Sequence, residues 1–466
     1  MNSTGESISR FMTLKKMGTR FKDILDSTFG IRFIFSKLNL SSALSGSLIK
    51  ESRVMTDVAD ISEAYRELAE FNNFVNLTHN NSLIEKIKIE LFELRDIRNT
   101  LIRISEGSIP DDIELFEIKS LSMINQKVKT FLESTEINCI KLPDLEDVIN
   151  LLDPEGNRIT SFYIYDAYSS DLKEIRKEIS SGYIESEDAI YKMSLIEDRI
   201  RGEIYLKLSV RVSDIYESLI NLARVDTLIA KARQLKDLNL IIPSHSINST
   251  SYSGMFNPEV KEILKSDRKE YQLIDIEFTV SEPLLITGSN MGGKSLTLKT
   301  LALCQYLYQF GFGIPAREAS IVAVDKIFLS VGDEQDYRKG LSSFAAEIKR
   351  IDNMLSAAKG GKLILSLTDE PAGSTNPKEG TALATALLKV LMKKRALSVV
   401  TTHYNIENIV CKRLKVVGFE NGVMNYKLST AIDTSAPGEA LRIAEAMGAD
   451  SEWISIAKAE LGVNKR

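Results

Sequence analysis

Residues 288–295 read GSNMGGKS, which fits the spacing G-x-x-x-x-G-K-[ST]. The stretch follows an apolar run, Leu284-Leu285-Ile286-Thr287, and precedes a helical pattern, SLTLKTLALCQYLYQF (295–310). Strand, Gly-rich loop, Lys-Ser and helix in that order are the context a phosphate-binding loop requires. Glycines let backbone N–H groups close around phosphate oxygens, and the helix N-terminus offers partial positive charge to the same anion. The loop from Gly288 through Ser289, Asn290, Met291, Gly292 and Gly293 is therefore expected to cradle the phosphates of ATP, with Leu296 just beyond it. Lys294 is expected to reach the β- and γ-phosphates and Ser295 to ligate Mg²⁺.

Downstream, LTDEPAGSTNPKEG (367–380) places two acids at the end of the apolar run 363–367 and follows them with turn-forming residues. Taken alone, an Asp-Glu turn is an ordinary exposed loop. Behind a phosphate-binding loop, Asp369 stands where an acid holds Mg²⁺ through water. Glu370 beside it is positioned to orient and deprotonate the attacking water as general base. His403 closes another apolar run, SVVTTH (398–403). Such a histidine is either a hydrogen-bonded structural residue or, beside the two earlier strands, a sensor of the γ-phosphate. Tyr271 and Phe278 lie upstream of the loop, where an aromatic could stack on adenine or simply fill the core.

Around these motifs the chain has two textures. Up to about residue 240 the pattern is helical. ISEAYRELAEFNNFVNL (61–77) and SLIEKIKIELFELRDIRNTLIRI (82–104) carry apolar residues at three- and four-residue spacing. IPDD (109–112), LPDLED (142–147) and LDPEGN (152–157) mark turns, and 184–236 predicts one or two long helices. SINSTSYSG (246–254) reads as a polar connector. Beyond it, strand-like runs at 271–280, 283–288, 319–331, 362–369 and 396–402 alternate with helical patterns at 293–311, 341–358, 378–394 and 405–413. That alternation predicts a mostly parallel sheet covered on both faces. The expected architecture is two-part: an N-terminal all-α core and lever domain over 1–245, then an α/β P-loop NTPase domain over 246–466 with C-terminal helices.

Bulk properties bound the partners. At 44% hydrophobic the chain can bury real cores, yet it has no stretch of about 18 apolar residues. Its first twenty residues lack the apolar core of a signal peptide. Cys139, Cys304 and Cys411 are few, odd in number and far apart, which points to a reducing, cytoplasmic compartment and away from membranes. Residues 51–200 carry 17 Lys/Arg against 31 Asp/Glu. Nonspecific nucleic-acid affinity comes from cations neutralising phosphates, so this block is either a solvated set of helix faces or a surface for a protein client. The first 50 residues are basic, with 8 Lys/Arg against 3 Asp/Glu.

The loops together resemble a family. GSNMGGKS, GIPARE (313–318), KGLSSFAAE (339–347), LTDEPAGSTNPKEG and TTHY (401–404) follow the order and spacing of MutS-family ATPases, the ABC-type mismatch-repair clamp group. LINLARVDTLIAKA (219–232) and GEALRIAEAMGADSEWISIAKAEL (438–461) are similar to the helices flanking that family's ATPase domain. The resemblance covers about 215–461. It implies a dimer, either a homodimer or a heterodimer with a related MutS-like subunit, whose ATP sites are completed across the interface. Ser342 and Ser343 match the loop that reaches the partner's nucleotide, and Thr375 and Asn376 lie in the turn between the sites.

Departures narrow the match. Ser289 replaces the family's Pro and Leu296 its Thr, while Gly373-Ser374 stand where Arg-Gly is usual. Phe131-Leu132-Glu133 and Phe92-Glu93 are outside the context of the mismatch-reading wedge, and the chain is too short for the full clamp. The post-Asp369 loop resembles short MutS-like proteins associated with adenosylcobalamin-dependent aminomutases, notably the reactivating ATPase of lysine 5,6-aminomutase. The resemblance implies a Mg-dependent ATPase acting as a chaperone-like reactivase of an aminomutase client. A wedge-less clamp on unusual nucleic-acid structures is the alternative, disfavoured by the acidic block. A nucleotide-binding regulatory subunit without turnover is disfavoured by the complete set Lys294, Ser295, Asp369 and Glu370.

Overall fold

The computed structural model describes residues 18–159, 161–180, 187–288, 293–331, 343–373, 375–404, 406, 409–420, 423–430, 441, 444, 445 and 448–460. The chain divides into two compact units. One comprises Met1–Lys22, Asn39–Ser52 and Glu67–Arg233; the other comprises Asp23–Leu38, Arg53–Arg66 and Gln234–Arg466. No helix among the described residues is long and apolar enough to cross a membrane.

The first unit is helical. Its long members are Asp112–Glu133, Glu187–Ser209 and most of Val212–Asp237. The turn expected at 109–112 lies between the helices Arg98–Ser105 and Asp112–Glu133 and ends in the cap of the second. Asp111 accepts from the Glu114 amide at 2.8 Å, and Glu114 returns a bond to the Asp111 amide at 3.1 Å. This reciprocal cap satisfies amides that the first helical turn leaves unpaired. Leu115, Ile118, Val128 and Leu132 then form a buried stripe along the helix. The pattern over 184–236 resolves into two helices, broken at residues 210–211. The buried carboxylate of Asp226 accepts from the amides of Ser41 and Ser42, each at 2.9 Å, and so fixes the entry to the helix Ala43–Glu51.

The second unit carries two sheets. Strands β1 (Ser244–Ser246), β2 (Ser249–Met255), β3 (Ile274–Thr279) and β5 (Glu318–Val322) form a mixed four-stranded sheet in the order β1-β5-β2-β3. Strands β4 (Leu284–Thr287), β6 (Lys326–Ser330), β7 (Ile364–Asp369), β8 (Ala396–Thr402), β9 (Lys412–Glu420) and β10 (Val423–Thr430) form a six-stranded sheet in the order β10-β9-β4-β8-β7-β6. Its pairs are parallel from β9 to β6, and β10 is added antiparallel. Helices α1 (Lys294–Gln309), α2 (Ser343–Lys359) and α3 (Pro377–Met392) connect its strands. All four residues of β4 and all seven of β8 are buried, as expected for strands covered on both faces.

Three expectations are corrected. The polar stretch 246–254 is not a connector, because most of it is β2. Its Thr250 and Tyr252 point inward, and the Thr250 hydroxyl accepts from the Val322 amide at 3.1 Å. The run 319–331 is two strands that join different sheets. The helix expected over 405–413 is absent from its described part, where Lys412 opens β9 alongside β4. Sheet pairing overrides a weak local preference there. Two N-terminal segments also belong with the sheet-bearing unit: Tyr65 Oη donates to the Phe312 carbonyl at 2.8 Å, and Gln234 Nε2 donates to the Ile34 carbonyl at 2.7 Å.

Candidate functional site

Register brings the motifs to one edge. In the parallel pairs, Asp369 lies opposite Thr401 and Thr287 opposite Thr402. The strand ends that follow, Gly288, Glu370 and His403, therefore emerge from the same carboxyl side of the sheet. Open α/β sheets bind ligands at this edge.

Helix α1 begins there. Gly293 takes the N-cap position with φ of 72°, a left-handed conformation that glycine adopts at no steric cost. A Cβ at Gly293 would lie 3.2 Å from the Tyr426 ring, and one at Gly288 (φ 142°) would lie 3.0 Å from Val416 Cβ. At both positions a side chain would crowd the neighbour already packed there. Lys294 is buried, and its ammonium donates to the Gly288 carbonyl at 2.8 Å. The Ser295 hydroxyl donates to Asp369 Oδ2, and the Thr401 hydroxyl donates to Asp369 Oδ1. Leu296 is half-buried on the same helix. Ser289, Asn290, Met291 and Gly292 lie outside the described residues.

Ser295 and Asp369 make an oxygen-only pair. Mg²⁺ prefers such donors and is usually held by one or two of them plus waters and phosphate oxygens. The residues present therefore fit the cation that the sequence implies.

Glu370 occupies a strained position. Its φ is 45°, uncommon for any residue but glycine, asparagine or aspartate. Its amide donates to the Thr401 carbonyl at 3.0 Å. Its carboxylate lies between two cationic or potentially cationic groups: Oε1 is 3.4 Å from Lys294 Nζ, and Oε2 is 3.4 Å from His403 Nδ1. Strain held by surrounding bonds recurs at active sites. A carboxylate anchored this way, beside a buried ammonium, can accept a proton from a polarised water.

Asn376 is exposed and caps α3, its side chain accepting from the Lys378 amide at 2.9 Å. Ser342 lies outside the described residues, as does the side chain of Ser343. Phe278 is core, 1% exposed. Tyr271 lines a cavity of about 630 Å³ together with Gln272, Arg317, Met424 and Lys427. Gln272 also bonds the β10 backbone, donating to the Met424 carbonyl at 3.0 Å and accepting from the Tyr426 amide at 2.7 Å.

Sequence reasoning missed four residues at this edge: Thr401, Glu347, Tyr404 and Tyr426. Thr401 and Tyr404 were visible within TTHY and Glu347 within SSFAAE, but only as flanks of other residues. Tyr426 carried no signal, because its position beside Gly293 depends on how β10 folds back.

Residues 284–453 match the family profile described as MutS domain V. Among curated proteins, the chain is 29% identical to "Endonuclease MutS2" of Finegoldia magna over 438 residues, covering 88% of this chain and 54% of that protein. It is 31% identical to the protein of the same name from Enterococcus faecalis over 281 residues, covering 56% of this chain and 33% of the relative. For the Listeria innocua protein, again of that name, the figures are 33% over 251 residues, with 52% and 29% covered. The chain thus spans about half the length, or less, of these relatives. The chain is thus similar to MutS-family proteins, over residues 284–453 by the family profile and more widely by the Finegoldia magna relative.

Proposed function

We propose that the chain is a MutS-type, Mg-dependent ATPase whose nucleotide cycle drives a conformational machine. One observation carries the reading. Lys294, Ser295, Asp369, Glu370 and His403, spread over 110 positions of sequence, converge through direct contacts at one sheet edge. In the proposed site Lys294 exchanges its Gly288 carbonyl for phosphate oxygens. Ser295 and Asp369 hold Mg²⁺, with Thr401 fixing the Asp369 carboxylate. Mg²⁺, when bound, neutralises charge building on the phosphates. Glu370 takes a proton from the attacking water, and His403, across that carboxylate, contacts the transferred phosphoryl group. The base is proposed to enter the cavity lined by Tyr271 and Gln272. The expected lever part, 1–245, would then be mainly the helical unit, with Asp23–Leu38, Arg53–Arg66 and the residues from Gln234 onward joining the ATPase part, 246–466. Two chains, identical or related, would complete each site through Ser342 and Asn376.

For the client, the relatives favour nucleic acid. All three proteins compared bear the name "Endonuclease MutS2", and the Finegoldia magna match runs over 88% of this chain, well beyond the ATPase part. We propose a client with unusual nucleic-acid structure, and carry over no strand cleavage. The aminomutase reading rests on the loop 367–380, the short length, the missing wedge and the acidic block 51–200, and supplies the competing arm of the test. Steady-state ATPase activity is measured alone, with mismatched or branched duplex DNA, and with an inactivated adenosylcobalamin-dependent aminomutase. Stimulation by DNA supports the clamp. Stimulation by the aminomutase alone replaces it with a reactivase, and absence of any ATP turnover overturns the ATPase reading.

A further inference from the structure

Glu370, Pro371, Ala372 and Gly373 form a tight turn closed by a bond from the Gly373 amide to the Glu370 carbonyl at 2.9 Å. Proline second and a positive φ third is the type II pattern, whose third position calls for glycine. Here that position is Ala372, at φ 58°. With Glu370 also at positive φ, two adjacent non-glycine strains flank Pro371, and each costs energy unless its surroundings fix it.

The peptide groups of Ala372 are gripped from two sides. Glu347, on α2, accepts from the Ala372 amide through Oε1 at 2.8 Å. Tyr404, just past β8, donates from Oη to the Ala372 carbonyl at 3.0 Å. Tyr404 is 7% exposed, and the nearby carboxylates of Glu370 and Glu347 add to burial in keeping its phenol protonated. Its hydroxyl therefore stays a donor.

We infer that Glu347 is a positioning residue for hydrolysis: with Tyr404 it clamps Ala372 and so holds the turn that aims the Glu370 carboxylate at Lys294 and His403. The inference rests on the ATPase reading above and adds a residue to which nothing else assigns a role. It also gives α2 a task. This helix starts beside the loop expected to meet the partner's nucleotide, and one carboxylate on its first turns reaches the backbone behind the general base.

The grip needs an oxygen acceptor and no negative charge, which makes the inference separable from a general structural role. Glu347→Gln keeps the acceptor, Glu347→Ala removes it, and Tyr404→Phe removes only the hydroxyl. ATP hydrolysis by the full chain is measured for each variant, together with binding of a fluorescent ATP analogue and the thermal melt, with Lys294→Ala as control. For Glu347→Ala and Tyr404→Phe we expect kcat to fall by about tenfold or more, the range set by a misplaced catalytic group. Nucleotide affinity should stay within about twofold, since uniform binding is untouched. Glu347→Gln should recover most of the lost turnover. Wild-type kcat in both Glu347→Ala and Tyr404→Phe overturns the inference, as does a Glu347→Gln defect equal to that of Glu347→Ala in a folded protein. If Lys294→Ala loses turnover in that case, the ATPase reading survives. Equal turnover in Lys294→Ala and wild type overturns both.

Discussion

Ser295, on the first turn of α1, hydrogen-bonds Asp369, the last residue of β7, across 74 positions of sequence. The hydroxyl and the carboxylate are thereby held together, and Thr401 occupies the second oxygen of Asp369. Preorganised ligands are where catalytic sites gain most.

Asp369→Ala is expected to abolish Mg-dependent ATP hydrolysis, with activity down by about 10² or more, the scale of a lost preorganised electrostatic contact. Ser295→Ala should cost less and should raise the Mg²⁺ concentration needed for half-maximal rate. A Mg²⁺ titration of kcat reads both. An Asp369→Ala enzyme with an unchanged titration curve removes the metal role.

Glu370→Ala is expected to bind ATP and stall, with turnover falling by about 10²–10⁴, the contribution of a general base. Lys294→Ala should lose nucleotide binding itself. His403→Ala should slow hydrolysis while leaving affinity nearly unchanged. Filter binding beside single-turnover hydrolysis separates the three, and normal turnover in Glu370→Ala rules out its assignment as base.

Gly380→Ala tests the packing behind the turn. A Cβ there would sit 2.3 Å from Tyr404 Oη and 3.0 Å from the Ala372 carbonyl oxygen. The tyrosine must move, and overpacking of this kind costs about 1–3 kcal/mol. Denaturant unfolding should show that loss, and hydrolysis should fall with it because the tyrosine's bond to Ala372 is broken. An unshifted midpoint contradicts the geometry.

Acid stability of the helical unit should depend on Arg98. Its guanidinium is 2.7 Å from Asp96 Oδ2 and 2.7 Å from Glu51 Oε2. Hydrogen bonds to Arg98 are the main cause holding both carboxyls below their ordinary values. Carboxyls lowered in the folded state contribute stability that is full above the unfolded value, about pH 4, and is lost as pH falls through the lowered one. Arg98→Met should lower the plateau above about pH 4 and leave stability at the acid end little changed, so the acid limb flattens. Both acids are partly exposed, so the effect is modest. Melting temperature against pH measures it.

Much of this was legible in the sequence, for identifiable reasons. β4, β7 and β8 are short apolar runs bounded by turn residues, and they need no partner information to be recognised. The order of strand β4, glycines, Lys294 and helix α1 is likewise readable from local pattern alone. The misses are tertiary. Arg413-Leu414-Lys415-Val416 alternates as a strand should, but the adjacent charges of Lys412 and Arg413 break the pattern, and the pairing with β4 is what makes it a strand. Asp369 stands out locally as an acid at the end of an apolar run, whereas its bond to Thr401 exists only through the β7–β8 register. Glu347 looked like one more acid on an amphipathic helix, because nothing local says that a carboxylate on α2 will meet the amide of Ala372.

The strand order has a consequence for synthesis on the ribosome. β4 precedes the glycine loop, yet its two neighbours in the sheet are β8 and β9, which emerge more than a hundred residues later. Until they do, Leu284–Thr287 is an apolar segment with both backbone edges open, of the kind that waits on distant contacts and invites aggregation. Nascent chains arrested before residue 396 should therefore stay protease-sensitive at β4 and associate with chaperones. Chains released past residue 420 should lose both properties together.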